Sequence, residues 1–166
     1  MGGPIAPAAL RPAETKAPAC SAVVCVLHGI AYGLAMDISC CADVRICARD
    51  TRFSVKEVDI GLAADIGTLA RLPKVVGNGS WVKDVCLTAR VFDAREALAV
   101  GYVSQVHDTK AAAVEAALQL AGLIASKSPV AVQGTKELLN HARDHTVAES
   151  TYRDDETGAP TSTPSG

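Results

Sequence analysis

Three acidic side chains stand where a negative charge is costly. Asp37 follows a glycine turn inside the apolar run Leu34-Ala-Met-Asp37-Ile38, and Glu57 and Asp65 bracket a loop whose other members are apolar residues, Asp59 and Gly61. A carboxyl withdrawn from water without a cationic partner resists ionisation, and two such groups side by side can divide the work of acid and base. That division is the chemistry needed to move a proton from one carbon to another. The same residues have a plainer use, with Asp65 capping the helix after it and Glu57 solvated on its loop.

The turn marked by His28-Gly29 and Gly33 follows a buried strand and feeds a helix. Amides at such a junction can face an anion or a developing oxyanion, although glycine turns also serve as packing devices. The spacing G-x-G-x-x-G is absent, so the turn is not a dinucleotide fingerprint. His141 and His145 lie four apart without an H-E-x-x-H pattern or an evident third ligand, and read as a solvated helix end with no metal implied. Lys127, Lys136, Arg143 and Arg153 are dispersed and read as solvated surface. Cys20, Cys25, Cys40, Cys41, Cys47 and Cys86 form no C-x-x-C pair and are expected to be buried, reduced thiols. No serine stands in nucleophile-elbow spacing with His and Asp.

The elements that would hold these groups alternate between sheet and helix. Cys20–Leu27 is a short apolar run with the pattern of a strand buried on both faces, and the small and apolar residues Leu34–Ala42 predict a helix packed on it. Strands are expected over Asp43–Ala48, Phe53–Val55 and Tyr102–Val106, with a structured loop over Glu57–Gly67. Helices are expected from Thr68 to a break near Pro73, over Ser80–Ala89, and from the capping-box pair Asp93 and Glu96 to Gly101. Two longer ones follow: Thr109–Ser126, with Val114, Leu118, Ala121 and Ala125 on its apolar face, and Ser128–Ala142, opened by Pro129.

The chain has 166 residues, 49% apolar and 20% charged, with a formal net charge of −2 and an isoelectric point near 6.1. That balance offers no electrostatic footprint for a nucleic acid. The longest apolar-leaning stretch, Ala17–Met36, is broken by Pro18, Ser21, His28, Gly29 and Gly33, short of the roughly 18 apolar residues a membrane span needs. Six aromatic residues among many alanines predict a core of Ala, Val, Leu and Ile in close helix-on-sheet layers. Four prolines in residues 1–18, and the Asp/Pro/Ser/Thr-rich residues 154–166, read as loose tails around a domain spanning 19–153. Neither end reads as a targeting address.

Val26-Leu-His28-Gly29 through Asp37, then Phe53-Ser-Val-Lys-Glu57-Val-Asp-Ile-Gly-Leu-Ala-Ala-Asp65-Ile-Gly67-Thr68, then Arg71-Leu-Pro-Lys-Val-Val-Gly-Asn78, resemble the enoyl-CoA hydratase/isomerase (crotonase) superfamily. Within it, Lys56–Thr68, Ser126-Lys-Ser-Pro-Val-Ala-Val and Arg143-Asp-His-Thr-Val-Ala-Glu-Ser150 closely resemble the Δ3,5-Δ2,4-dienoyl-CoA isomerases, with Asp65 the more selective mark. The resemblance implies an α/β crotonase-like ββα spiral, here partial, with C-terminal helices. It also implies an acyl-CoA substrate whose CoA is no separate cofactor, no metal, assembly as a homotrimer or hexamer, and residence in peroxisome or mitochondrion. By the same resemblance Glu57 and Asp65 match the two carboxyls that shuttle a proton between C2 and C6 of a dienoyl chain, and Asp37 matches a third acid of that site.

The family's glycine triplet reads Gly33-Leu34-Ala35 here, and the resemblance implies that the backbone N–H of Leu34 serves the thioester oxygen. Against the family pattern the chain reads as truncated at both ends, without much of the CoA surface and one of two oxyanion N–H donors. Two further readings therefore stand beside a 3,5- to 2,4-dienoyl-CoA isomerase of fatty-acid β-oxidation. One is a catalytically impaired fragment that co-assembles with a crotonase subunit. The other is an enoyl-CoA hydratase.

Overall fold

Strand follows strand into different sheets. The computed structural model describes residues 21–151, so the readings made for the two tails, Cys20 and Arg153 fall outside the described residues. β1 (Val24–Leu27) and β2 (Ile30–Tyr32) precede α1 (Leu34–Cys40), and β3 (Val44–Ala48) and β4 (Arg52–Ser54) precede a 3₁₀ turn (Glu57–Ile60) and α2 (Thr68–Val75). Then come α3 (Gly79–Thr88), β5 (Phe92–Asp93), α4 (Ala94–Ala99), β6 (Gln105–His107), α5 (Lys110–Ala125), α6 (Pro129–Ala142) and α7 (Val147–Thr151). One sheet runs β1-β3-β6, all parallel, and the other β2-β4-β5, with β2 and β4 parallel and β5 antiparallel. Each β-β-α turn thus lays one strand in each sheet, which is the expected ββα spiral.

β2 was not among the strands read from the sequence, which has Gly29 and Gly33 bracketing a simple turn. Its three residues pair with β4 in the register Ile30 to Arg52, Ala31 to Phe53 and Tyr32 to Ser54. A strand this short offers no period to detect.

The main core lies on the Cys25, Leu27 and Cys47 face of the first sheet and around the second sheet. It is more aromatic than its composition suggests. Phe53 stacks on Phe92 at 5.2 Å, while Tyr102 meets Phe53 and Trp81 meets Phe92 edge-on at 5.6 and 5.0 Å. These geometries add to the burial of four large rings. A cross-strand pair sets the stack, since Phe53 and Phe92 are partners in β4 and β5.

On the opposite face Val24, Val26, Val44 and Ile46 meet α5, whose buried residues are Ala113 and Ala117. The expected α5 face is displaced by one position: Val114 is 37% and Leu118 63% exposed. Small residues win the contact because they let the helix approach the sheet closely. Val114 and Leu118 instead border an apolar cavity of about 480 Å³ between β1, α5 and α6.

Capping follows the sequence in part. Asp93 accepts from the Glu96 amide at 2.8 Å, as the capping-box spacing requires. The Glu96 carboxylate does not close the box; it accepts from Trp81 Nε1 at 2.7 Å and from the Arg90 guanidinium at 2.6 and 3.1 Å. Thr109 caps α5 through the Ala112 amide. Lys136 departs from the solvated reading, because its ammonium bonds both Ser21 O and Asp43 Oδ2 at 2.8 Å and ties α6 to the start of β1.

Candidate active site

β2 and β4 run parallel and end side by side, and the carboxyl ends of parallel strands are where such sheets hold ligands. The residue after β2 is Gly33, whose amide donates to Ser54 O at 3.0 Å, extending the β2–β4 register by one step. Its backbone (φ 53, ψ −117) turns the chain sharply into α1. A β-carbon there would sit in a left-handed conformation and 3.1 Å from Glu57 Oε1, so glycine serves both the turn and the approach of the carboxyl. Gly33 O accepts from the Met36 and Asp37 amides. The amides of Leu34 and Ala35 open the helix and have no carbonyl within it to reach. Leu34 is an ordinary helical residue rather than one forced to positive φ, and its side chain is 55% exposed.

Asp37 points from α1 into the core and is 3% exposed. Its Oδ1 accepts from the amide and the hydroxyl of Thr68, both at 2.6 Å, and its Oδ2 is buried without a hydrogen bond. Glu57 opens the 3₁₀ turn beyond β4; its Oε2 is likewise buried with no hydrogen-bond partner. This departs from a solvated loop carboxylate. Its negative charge is felt by Cys86 on α3, whose thiol is pushed up by burial first and by Glu57 second. Buried polar atoms are nearly always paired, so the unpaired oxygens set the Asp37 and Glu57 carboxyls apart from the rest of the core.

Asp65 is placed differently. It is exposed on the 61–67 loop, its amide donating to Ala63 O at 2.8 Å, and the loop also exposes Leu62 (59%) and Ile66 (70%). Asp65 does not cap α2, because the N-cap is Gly67 and the first-turn amide of Thr68 donates to Asp37 instead. Gly33, Leu34, Asp37 and Glu57 are therefore brought to one turn, while Asp65 stands on the loop leading into Thr68. Thr68 was missed by the sequence reading. A threonine after a glycine at a helix start signals local capping, and nothing in the sequence says that its hydroxyl reaches back 31 residues.

The cysteines divide. Cys40, Cys47 and Cys86 are buried as expected, Cys25 is half-buried, and Cys41 is exposed against expectation. Burial pushes the Cys47 thiol up to about 11. His141 and His145 stack at 3.6 Å, and among the described residues no three His, Cys, Asp or Glu side chains gather as metal ligands would.

Chemically, the turn offers carboxyl oxygens for moving protons and helix-opening amides for a carbonyl oxygen that gains charge. Residues 15–164 match the family described as enoyl-CoA hydratase/isomerase. The chain is 54% identical over 128 residues to the human mitochondrial Δ(3,5)-Δ(2,4)-dienoyl-CoA isomerase, a match covering 77% of this chain and 39% of that protein. It is 39% identical over 127 residues to the peroxisomal Δ(3,5)-Δ(2,4)-dienoyl-CoA isomerase of Arabidopsis thaliana, covering 76% and 45%. The chain thus spans about two-fifths of the length of these curated relatives. Among solved structures, an enoyl-CoA hydratase/isomerase from Cupriavidus metallidurans superposes with a TM-score of 0.76 at 29% identity, covering 82% of this chain and 51% of that one.

Proposed function

Because the chain belongs to the enoyl-CoA hydratase/isomerase family, we propose that its site shifts the double bonds of an unsaturated acyl-CoA, converting a 3,5-dienoyl to a 2,4-dienoyl thioester. A carboxylate removes a proton from C2, beside the thioester carbonyl. The electron pair spreads through the conjugated chain and onto the carbonyl oxygen, where the Leu34 amide donates. A second carboxyl delivers a proton to C6, leaving double bonds at C2 and C4. No nucleophile or redox partner enters the balance.

The observation that carries this reading is the Glu57 carboxyl held against Gly33 with its Oε2 buried and unpaired, and the buried Asp37 on the helix that Gly33 opens. Glu57 and Asp65 are the proton carriers, and Asp37 completes the acidic site. CoA arrives as part of the substrate, and neither metal nor separate cofactor is needed. By analogy with the relatives the compartment is mitochondrion or peroxisome; a homotrimer or hexamer is the working form that the family resemblance implies.

The test is the rise of 2,4-diene absorbance on a 3,5-dienoyl-CoA. Glu57→Gln and Asp65→Asn are expected to lower kcat by about 10²–10⁴, the range for a positioned acid or base. Wild-type protein that gives no diene shift, or does no better than Asp65→Asn, would refute it. A hydratase would instead add water to a 2-enoyl-CoA, which the same preparation can be offered.

A second reading has its own observation: β1 is an edge strand among the described residues, and beside it lies the open apolar cavity between α5 and α6. A chain that co-assembles with a crotonase subunit would cover that edge. Co-elution with such a subunit supports it, and a partner-free monomer that binds CoA counts against it.

A further inference from the structure

Thr68 is fully buried at the first position of α2, yet neither its hydroxyl nor its amide serves its own helix. Both converge on Oδ1 of Asp37, which leaves Oδ2 as the buried carboxyl oxygen without a hydrogen bond. We propose that Thr68 is a positioning residue for the isomerisation, an inference that rests on the function proposed above. Its two bonds fix the orientation of the Asp37 carboxyl. They also clip the trailing end of the Asp65 loop to α1, the helix that opens with the Leu34 amide.

The geometry is specific to this pair. Both bonds to the Asp37 carboxyl are short, at 2.6 Å. Thr68 lies three residues beyond Asp65, so the clip limits how far that carboxyl travels relative to Gly33 and Glu57. Catalysis is sensitive to such distances, since displacing a reacting group by about 1 Å can cost on the order of a hundredfold in rate. The hydroxyl is the part that mutation can remove, while the amide remains in every variant.

Amide exchange and kinetics together test this. In the wild type the Thr68 amide, which a helix of its own would leave unpaired, is expected to exchange at least about 100-fold more slowly than an unstructured reference. Exchange at the reference rate overturns the clip. In Thr68→Val the amides of residues 61–67 are expected to exchange roughly tenfold faster, with kcat on a 3,5-dienoyl-CoA down roughly 10- to 100-fold and KM within about twofold, as befits the loss of one hydrogen bond to a buried carboxyl. Thr68→Ser, which keeps the hydroxyl, is expected to restore both.

A Thr68→Val protein with wild-type kcat, or a Thr68→Ser protein as impaired as Thr68→Val, overturns the positioning role. If the wild type itself shows no diene shift, the function proposed above falls. Loop exchange in the Val and Ser variants still decides the clip, because equal rates in both refute it.

Discussion

Gly33→Ala isolates the contact on which the site is built. The substitution has two costs that can be separated. The first is backbone strain: φ is 53 at Gly33, and holding a non-glycine residue in such a region costs about 1–3 kcal/mol. The second is the new methyl, whose carbon falls 3.1 Å from Glu57 Oε1 and 3.8 Å from its carboxyl carbon. A contact that tight moves the carboxyl by a few tenths of an ångström.

Gly29→Ala supplies the control, since Gly29 has a similar φ of 59 and a β-carbon there meets nothing within 4 Å. Both variants are expected to lose about 1–3 kcal/mol in urea unfolding, equivalent to roughly 4–12 °C in Tm for a domain of this size. Only Gly33→Ala is expected to lose activity beyond that, with kcat on a 3,5-dienoyl-CoA falling about 10- to 100-fold. Equal kcat in the two variants would show that Glu57 does no chemistry from its place against Gly33, and the reasoning would fail.

Two further outcomes follow from the core and the surface. Cys47 is buried with its thiol pushed up to about 11, above the ordinary value of 9. In the folded state it keeps a proton that the unfolded chain gives up, so its contribution is intact below about pH 9 and lost as pH rises toward 11, worth on the order of 2 kcal/mol. Cys47→Ala is expected to flatten that alkaline decline in urea-unfolding free energy measured from pH 7 to 11; an unaltered slope refutes the assignment. Glu96 joins Arg90 to Trp81, the single tryptophan of the chain. Glu96→Ala is expected to cost about 1–2 kcal/mol, with a shift in Trp81 fluorescence, and an unmoved emission maximum would deny the indole bond.

The parts of the fold that were readable are those in which local pattern and tertiary packing agree. The apolar runs read as strands over Cys20–Leu27 and Asp43–Ala48 hold β1 and β3, and the Asp93 and Thr109 caps sit where their side chains dictate. What escaped depends on partners distant in the chain. β2 is visible only through its pairing with β4, and the buried stripe of α5 only through the sheet that prefers alanine to leucine.

The acids of the site were readable by type and company, because a carboxyl among apolar residues stands out. Their arrangement was not. The sequence treats Glu57 and Asp65 as equals across a loop, whereas the fold presses one onto Gly33 and leaves the other exposed. Thr68 bears no mark at all until α1 and α2 are packed together.

The alignment of Tyr32 with Ser54 carries a wider consequence. Gly33 and Glu57 meet because two neighbouring strands finish level, like two rulers squared at one end. The stretches between α1 and β3, and between β3 and β4, can therefore grow, shrink or change composition without separating the two residues. A single residue added inside Ile30–Tyr32 would throw them out of step at once, whereas the connectors answer to other contacts, Asp43 to Lys136 and Thr51 to the Leu27 carbonyl.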